Sequence, residues 1–339
     1  MLLDLQLDAR PDLAVDRARE LAGTGVAGLF TFEGPHDVFL PLAATAAAGV
    51  GTDLMTNVAI AIPRSPMHLA HAAYDLQLMS RGRFRLGLGS QIRPHIENRY
   101  GATWDRPAAR MREAVLAVKA ILTSWQDGTS LDFRGEFTRH TLMPPTFVPG
   151  PNPYGVPPVL LGALGPVMTR TAAEVADGLL VLPFHSHQHF RSRTLPAVDE
   201  GLARAGRSRG EFAIQPQAIV AMGRTEAEIE KASAGVRGLL AFYGSTPAYR
   251  PVLEVEGWAE VQPELNRLSK SGDVGAMFGL VTDDMLATLA VRGTPEECAA
   301  EIGRRFGDVA ERVCCYFPGY DAPLDQVRDL AAALAPVGA

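Results

Sequence analysis

The sequence predicts an α/β protein with a (β/α)8 TIM barrel fold. Short apolar runs typical of strands alternate with stretches of helical periodicity, and eight such pairs follow one another along 339 residues. A barrel of this kind commonly takes about 250 residues plus insertions, so we expect one domain over residues 1–339. The alternative is a doubly wound sheet, which at this length would normally split into two domains, and no linker suited to a domain break is present.

The first three units contain compact apolar strands followed by helices. Strands are predicted over residues 2–7, 26–32 and 53–62. The third run, DLMTNVAIAI, is almost wholly apolar, as expected of a strand that is covered on both faces. Pro11 and Pro66 suit the first turns of helices, and Gly49 suits a helix end. The corresponding helices are predicted over residues 11–25, 41–49 and 65–82.

The fourth unit ends in glycines and is followed by irregular sequence. Its strand, RFRLGLG at 83–89, finishes on Gly87 and Gly89, which we expect to leave room for a ligand. A helix is predicted over 106–122. From there to residue 158 proline-rich sequence replaces the periodic pattern, which predicts an insertion after strand four.

The last four units follow the same order. Strands are predicted over residues 156–163, 177–184, 212–223 and 309–319, and helices over residues 165–176, 188–206, 225–244 and 322–338. Pro216 lies inside the seventh strand and predicts a bulge or an interrupted ladder there. Irregular periodicity over 245–289 predicts an inserted helical segment after strand seven.

Two helix starts carry capping boxes. Thr225 is followed three residues later by Glu228, and Thr294 by Glu297. In this spacing the hydroxyl and the carboxylate satisfy backbone N–H groups of the first turn reciprocally. We therefore predict helix starts at both threonines, the second opening a helix over 294–307.

Composition excludes several classes of function. The net charge of −6 and the absence of basic blocks argue against a nucleic-acid partner, which would need a basic face. The three cysteines, Cys298, Cys314 and Cys315, provide neither a disulfide framework nor metal-ligand spacing. No apolar run reaches about 18 residues, and the N-terminal stretch lacks a basic start and a cleavage site. We expect a cytoplasmic protein with no membrane partner.

Chemistry in a barrel belongs at the C-terminal ends of the strands. The cluster HSHQH (His185, His187, His189) could align on one face, but we expect an ordinary loop and no metal site. Glycine turns after strands four and five, GLGSQ and LGALGP, let backbone amides approach a ligand, and the second opens a helix that can hold an anion. Two such turns favour a phosphate-bearing cofactor that carries the chemistry itself.

These stretches also carry a resemblance to a known family. The block SRGRFRLGLG within residues 80–113 and the turn within 160–181 are its strongest parts, supported by 26–44 and 51–70. Together they make the chain resemble the luciferase-like monooxygenase superfamily, and more closely its actinobacterial branch that uses the deazaflavin coenzyme F420. The block is specific to the superfamily but does not separate flavin from deazaflavin.

The resemblance implies positions for the cofactor. The family's non-proline cis peptide of strand three would fall at Asn57–Val58, behind the cofactor ring. The strand-four loop would meet the ring edge through Ser90, Gln91 and His95. The phosphate-contacting turn corresponds to Ala163, Leu164, Gly165, Pro166, Val167 and Met168.

Acid–base groups depart from the family pattern. Its sugar-phosphate dehydrogenases place an Asp-His pair after strand two and a Glu in the strand-four loop, whereas this chain has Glu33-Gly34 and Ile92 at those positions. Glu33 and His36 are our candidate catalytic residues, with His36 replacing the missing imidazole. Arg64 is expected to pair with a phosphate or tail carboxylate of the cofactor, or alternatively with a carboxylate of the barrel rim.

Three functions follow as hypotheses. The leading one is hydride transfer between coenzyme F420 and a small organic substrate, in a pocket lined by Phe32, Phe184, Tyr316 and the 245–289 segment. The second is an FMN-dependent monooxygenase that uses dioxygen, and the third is a barrel that has lost its chemistry. The resemblance also implies a homodimer.

Overall fold

The computed structural model describes residues 1–8 and 10–335 as an α/β protein built on a curled parallel sheet. The strands are β1 (Leu2–Gln6), β2 (Gly28–Thr31), β3 (Asp53–Thr56), β4 (Ala59–Ile60), β5 (Phe84–Gly89), β6 (Phe133–Arg134), β7 (Arg139–His140), β8 (Val159–Ala163), β9 (Gly178–Val181), β10 (Ala213–Gln215), β11 (Gln217–Met222), β12 (Val291–Gly293) and β13 (Arg312–Tyr316).

Helices separate almost all of the sheet strands. They are α1 (Ala14–Ala22), α2 (Leu40–Ala47), α3 (Pro66–Met79), α4 (Arg93–Asn98), α5 (Pro107–Asp127), α6 (Pro166–Val175), α7 (His187–His189), α8 (Leu195–Ala205), α9 (Glu226–Gly244), α10 (Arg250–Val255), α11 (Val261–Ser271), α12 (Val274–Gly279), α13 (Asp283–Leu289), α14 (Pro295–Phe306) and α15 (Leu324–Leu334). Short 3-10 turns cover Pro145–Phe147, Arg209–Glu211 and Pro247–Tyr249, and a π-helical turn covers Phe190–Thr194.

The main sheet joins its strands in the order β10-β9-β8-β5-β3-β2-β1-β13-β11-β12, with β4 also paired to β5. Every pairing in it is parallel, as strands joined by helical crossovers require. β10 and β11 are two halves of the predicted seventh strand, separated by Pro216, whose carbonyl accepts a hydrogen bond from the Cys314 N–H at 2.9 Å. The interruption predicted at Pro216 is confirmed, and so is the α/β class.

Helix starts follow the sequence closely. Both predicted capping boxes are formed, at Thr225 with Glu228 and at Thr294 with Glu297. The terminal helix ends at Leu334, and positions 336–338 of its predicted range lie outside the described residues. Among the described residues no helix is long and apolar enough to cross a membrane.

Several short elements were not predicted. α4 and β12 span six and three residues, and the two strands of the β6–β7 hairpin span two residues each, which is too short for an apolar period to show. The predicted helical segment 245–289 contains α10 to α13.

The sheet interior is filled in layers. Its lower layer, near the N-terminal ends of the strands, is polar: Asp4 is 1% exposed and accepts hydrogen bonds from Arg85, Arg312 and Gln215. The next layer is apolar and consists of Phe30, Met55, Leu160, Leu180 and Cys314. Outside the sheet, a larger apolar core joins it to the helices. This packing leaves the upper end of the interior, at the C-terminal strand ends, as the place for a site.

Candidate active site

The floor of the upper end is formed by two partly buried side chains, Val58 and Tyr316, which pack on the apolar layer below. The peptide bond between Asn57 and Val58 is cis, at the position that the resemblance implied. The Tyr316 ring stacks against Phe30 with ring centroids 5.0 Å apart. Val58, just after β3, and Tyr316, at the end of β13, therefore lie on one surface.

Polar groups on this floor satisfy one another. The Asn57 amide donates to the Tyr316 hydroxyl at 3.1 Å and accepts from the Gln217 amide at 3.1 Å. The Tyr316 hydroxyl donates to the Gln217 side-chain oxygen. Burial raises the pKa of Tyr316 well above its usual range, so the phenol stays protonated. The triangle holds the floor rigid and neutral.

The glycines of β5 and β8, which are the predicted strands four and five, leave space for this floor. A Cβ on Gly89 would lie 2.3 Å from a methyl of Val58, and one on Gly162 would lie 3.0 Å from the other. A Cβ on Gly87 would lie 2.0 Å from the Thr56 carbonyl oxygen. We interpreted the last glycines of strand four as room for a ligand, but the space they leave is occupied by strand three.

Glu33 is clamped at the rim. Its side chain is 7% exposed, and one oxygen accepts from the Ile60 N–H at 2.8 Å and from Arg64 at 2.6 Å. The other oxygen accepts from the Tyr100 hydroxyl at 2.8 Å. The pairing seen for Arg64 is thus the rim carboxylate, the second of its two expected partners. His36, the other catalytic candidate, is exposed.

The loop after β5, which is the predicted fourth strand, is hydrogen-bonded to the same rim through Tyr100. Burial, and after it the hydrogen bond to Glu33, raises the pKa of Tyr100. Ser90 donates to the Gln91 carbonyl, and the Gln91 side chain accepts from the next backbone N–H at 3.0 Å. Gln91 has a φ of 61°, in the left-handed region. His95 is half-buried on α4, and all three predicted loop residues follow the C-terminal end of β5.

The turn between β8 and α6, which follows the predicted fifth strand, is open to solvent. Ala163 and Leu164 are buried, whereas Gly165 is exposed and a Cβ built on it would meet nothing within 4 Å. Pro166 takes the first turn of α6, followed by Val167, which is 56% exposed, and half-buried Met168. Because the first N–H groups of a helix lack internal acceptors, this end can hold an anion.

The histidine cluster is part of the packing. His185 lies with ring centroids 5.6 Å from Phe306 and 5.8 Å from Phe190. Burial lowers the pKa of His185 to about 3 and that of His189 to about 4, so both are neutral at pH 7. Within residues 1–8 and 10–335 no group of three or more potential ligands could hold a metal ion.

Four residues at the mouth were missed by sequence reasoning: Tyr100, Gln217, Tyr243 and Tyr249. Gln217 carried a signal, since a glutamine inside an apolar strand needs a buried partner. Tyr100 carried none, because its partner Glu33 is 67 residues away. Of the predicted pocket residues, Phe32 is 43% exposed, whereas Phe184 is fully buried beneath Tyr243 and Tyr249.

Comparison with known proteins agrees with the fold and shows the family. The model of the family described as luciferase-like monooxygenase matches residues 4–311. An uncharacterized protein of Mycobacterium tuberculosis is 47% identical over 304 residues, 90% of this chain and 89% of its own. A putative coenzyme F420-dependent oxidoreductase of the same organism is 30% identical, over 87% of this chain and 86% of its own.

A solved structure supports the architecture. The coenzyme F420-dependent tetrahydromethanopterin reductase of Methanopyrus kandleri superimposes with a TM-score of 0.77, covering 98% of this chain and 96% of its own. At 20% identity this likeness concerns the fold, which is TIM-barrel-like.

Proposed function

The chain belongs to the luciferase-like monooxygenase family, and on that premise we propose that it transfers a hydride between coenzyme F420 and a small organic substrate. The observation that carries the choice of deazaflavin is the relative named as a putative F420-dependent oxidoreductase, which is similar along 87% of the chain. The side chains of Asn57, Gln217 and Tyr316 on the floor hydrogen-bond to one another. This suits an oxidoreductase, because the cofactor and not the floor would then carry the chemistry.

The residues present fit such a cofactor. The open turn at Gly165 and the start of α6 suit a phosphate, since a side chain is absent there and the helix N-terminus attracts anions. The cofactor-holding residues in this proposal are Asn57, Val58, Ser90, Gln91, His95, Ala163, Leu164, Gly165, Pro166, Val167 and Met168. Bound there, the deazaflavin would supply hydride chemistry, and the protein would supply position and exclusion of water.

Proton transfer is assigned to the rim. His36 is exposed and follows Glu33 by three residues in the loop after β2. We assign His36 as the proton carrier and Glu33 as its partner at the mouth. Arg64 pairs with Glu33 at the rim, and we propose that it would also meet a phosphate or tail carboxylate of the bound cofactor.

Titration with F420 and with FMN, followed by fluorescence, tests the cofactor. Saturable binding of F420 alone supports the proposal, and binding of FMN alone replaces it with the dioxygen-dependent monooxygenase. Failure of both cofactors to bind at micromolar concentrations would leave a barrel without chemistry.

A charge at the phosphate turn provides the matched test. Gly165→Asp places a carboxylate where the anion would bind, and we expect F420 affinity to fall at least about tenfold. Gly210→Asp is the control, because Gly210 is also exposed with open space around it but lies in a distant turn. Equal F420 affinities for the two variants would show that the phosphate does not bind at this turn.

The finer architecture and assembly belong to the same proposal. We propose eight strand–helix units, with β10 and β11 together as the seventh strand and with insertions after strands four and seven. We also propose a homodimer, for which light scattering coupled to size-exclusion chromatography gives the mass directly.

A further inference from the structure

A second apolar core covers the upper end of the sheet. It joins residues that follow the strand ends, such as Leu164, Phe184 and Ile219, to the helices of the segment between β11 and β13. Within it, Phe184, Tyr243 and Tyr249 form a cluster with ring centroids 5.9 to 6.2 Å apart. We call these three residues the aromatic wall.

Both phenols of the wall are available for hydrogen bonding. Neither hydroxyl has a partner among the described residues, and neither is among the fully buried unpaired atoms. Burial raises the pKa of Tyr243 and of Tyr249, so each is a neutral O–H donor at physiological pH. Two unpaired donors on an otherwise apolar surface favour a ligand with an oxygen acceptor.

The wall lies beside the proposed reaction site. Tyr243 packs on the apolar core that contains Leu164 of the proposed phosphate turn and Ile219, which follows Gln217 of the floor by two residues. Tyr316 itself is engaged by Asn57 and Gln217. The wall phenols, and not Tyr316, are therefore the donors left for a substrate.

Charges near the wall are already paired. Arg237 donates to the Val281 carbonyl at 2.7 Å and pairs with Asp283, and Arg250 pairs with Glu254 at 3.1 Å. Because both of these arginines already pair with a carboxylate, an anionic substrate would lose hydration on entering without gaining either of them as a free partner.

We propose that the aromatic wall is the substrate-selecting surface of the enzyme, and that it takes an uncharged, largely apolar substrate whose single carbonyl or hydroxyl oxygen is bound by Tyr243 and Tyr249. The inference rests on the proposed function, because the substrate is placed against the cofactor site. Selection acts through two hydrogen bonds and an apolar face, without an ion pair.

Matched probes test this on the cofactor-loaded protein. Cyclohexanone and cyclohexanecarboxylate share a ring of similar size but differ in charge, and their binding is measured by calorimetry. We expect cyclohexanone to bind at least about tenfold more tightly, since a lone buried carboxylate is strongly penalised. Tyr243→Phe and Tyr249→Phe should each weaken cyclohexanone binding by about three- to tenfold, the usual effect of one lost hydrogen bond.

Control measurements separate the two levels of inference. Tyr154→Phe, on an exposed tyrosine away from the mouth, should leave probe affinity unchanged. F420 affinity should be the same in wild type and in all three variants, which also shows that each variant folds. If F420 binds but cyclohexanone does not, or binds no better than the carboxylate, the inference fails while the proposed function stands. If F420 does not bind to wild type, the proposed function itself fails.

Discussion

Two buried carboxylates, Asp4 and Glu33, lie at opposite ends of the sheet interior and are held in different ways. Asp4 is bonded to Arg85, Arg312 and Gln215, which all lie on strands of the sheet. Glu33 is bonded to Arg64 and Tyr100, which lie on loops, and to the N–H of Ile60 in a two-residue strand.

The difference separates folding from function in this molecule. Asp4 ties β1, β5, β10 and β13 together, so its contacts form only when the sheet curls. Glu33 ties together loops at the C-terminal ends, where barrel proteins place their chemistry. We therefore expect Asp4 to affect global stability most and Glu33 to affect loop order and activity most.

Asp4→Asn is expected to have the largest effect. It removes the buried carboxylate from Arg85 and Arg312 and leaves them only the partly exposed Asp53, and breaking a buried pair commonly costs about 3–5 kcal/mol. Urea unfolding should show this loss in the free energy of unfolding, with wild-type F420 affinity at low urea. Asp12→Asn, on an exposed pair with Arg10, is the control and should change the free energy of unfolding far less. Similar losses in the free energy of unfolding for both variants would contradict the special role of Asp4 in stability.

Glu33→Gln comes next. It keeps the shape of the side chain but weakens its bonds to Arg64 and Ile60, so we expect a stability loss of about 1–3 kcal/mol. Activity should fall more than for Asp4→Asn when both are assayed at a temperature where they are fully folded. Glu97→Gln, on the exposed pair with Arg93, serves as the control. Full activity in the Glu33 variant would exclude it from the acid–base step.

Tyr100→Phe sharpens the comparison at the level of one hydrogen bond. Removing the 2.8 Å bond to Glu33 should cost about 1 kcal/mol and release the strand-four loop. Hydrogen exchange over residues 90–101 should accelerate, whereas exchange in β1 and β13 should not. Unchanged exchange in the loop would show that another contact, such as that of Arg99 with the Gly34 carbonyl, holds it.

Glu113 provides an intermediate case with a small, pH-dependent effect. Burial acts to raise its pKa, but hydrogen bonds from the N–H groups of Phe137 and Thr138 prevail and hold that pKa below its usual range. Its stabilising contribution is thus present above the unfolded pKa and is lost as pH falls through the folded one. Glu113→Gln should flatten the acid side of the stability profile, measured by thermal unfolding between pH 3 and 7, whereas Glu136→Gln should not. If Glu113→Gln leaves the pH profile of stability unchanged, the hydrogen bonds to Glu113 do not stabilise the fold as proposed.

Local sequence was enough for features whose cause is local. Pro216 lacks an N–H and interrupts its ladder wherever the strand lies, and the boxes at Thr225 and Thr294 depend only on residues three positions apart. The α/β class follows from alternating apolar patterns in the same way. The triangle of Asn57, Gln217 and Tyr316 joins positions 99 to 259 residues apart, and no spacing rule connects them.

The sequence by itself determined the alternation of the longer strands and helices, the capped helix starts and, through the resemblance, the cis peptide at Asn57–Val58. Only the tertiary structure decided that Gly89 accommodates Val58 and that Glu33 is engaged by Arg64 and Tyr100. It also decided that the phenols of Tyr243 and Tyr249 have no hydrogen-bond partner within residues 1–8 and 10–335. The physical reason is range: backbone preferences act within a few residues, whereas packing space and hydrogen-bond partners are set by segments that meet only when the sheet curls.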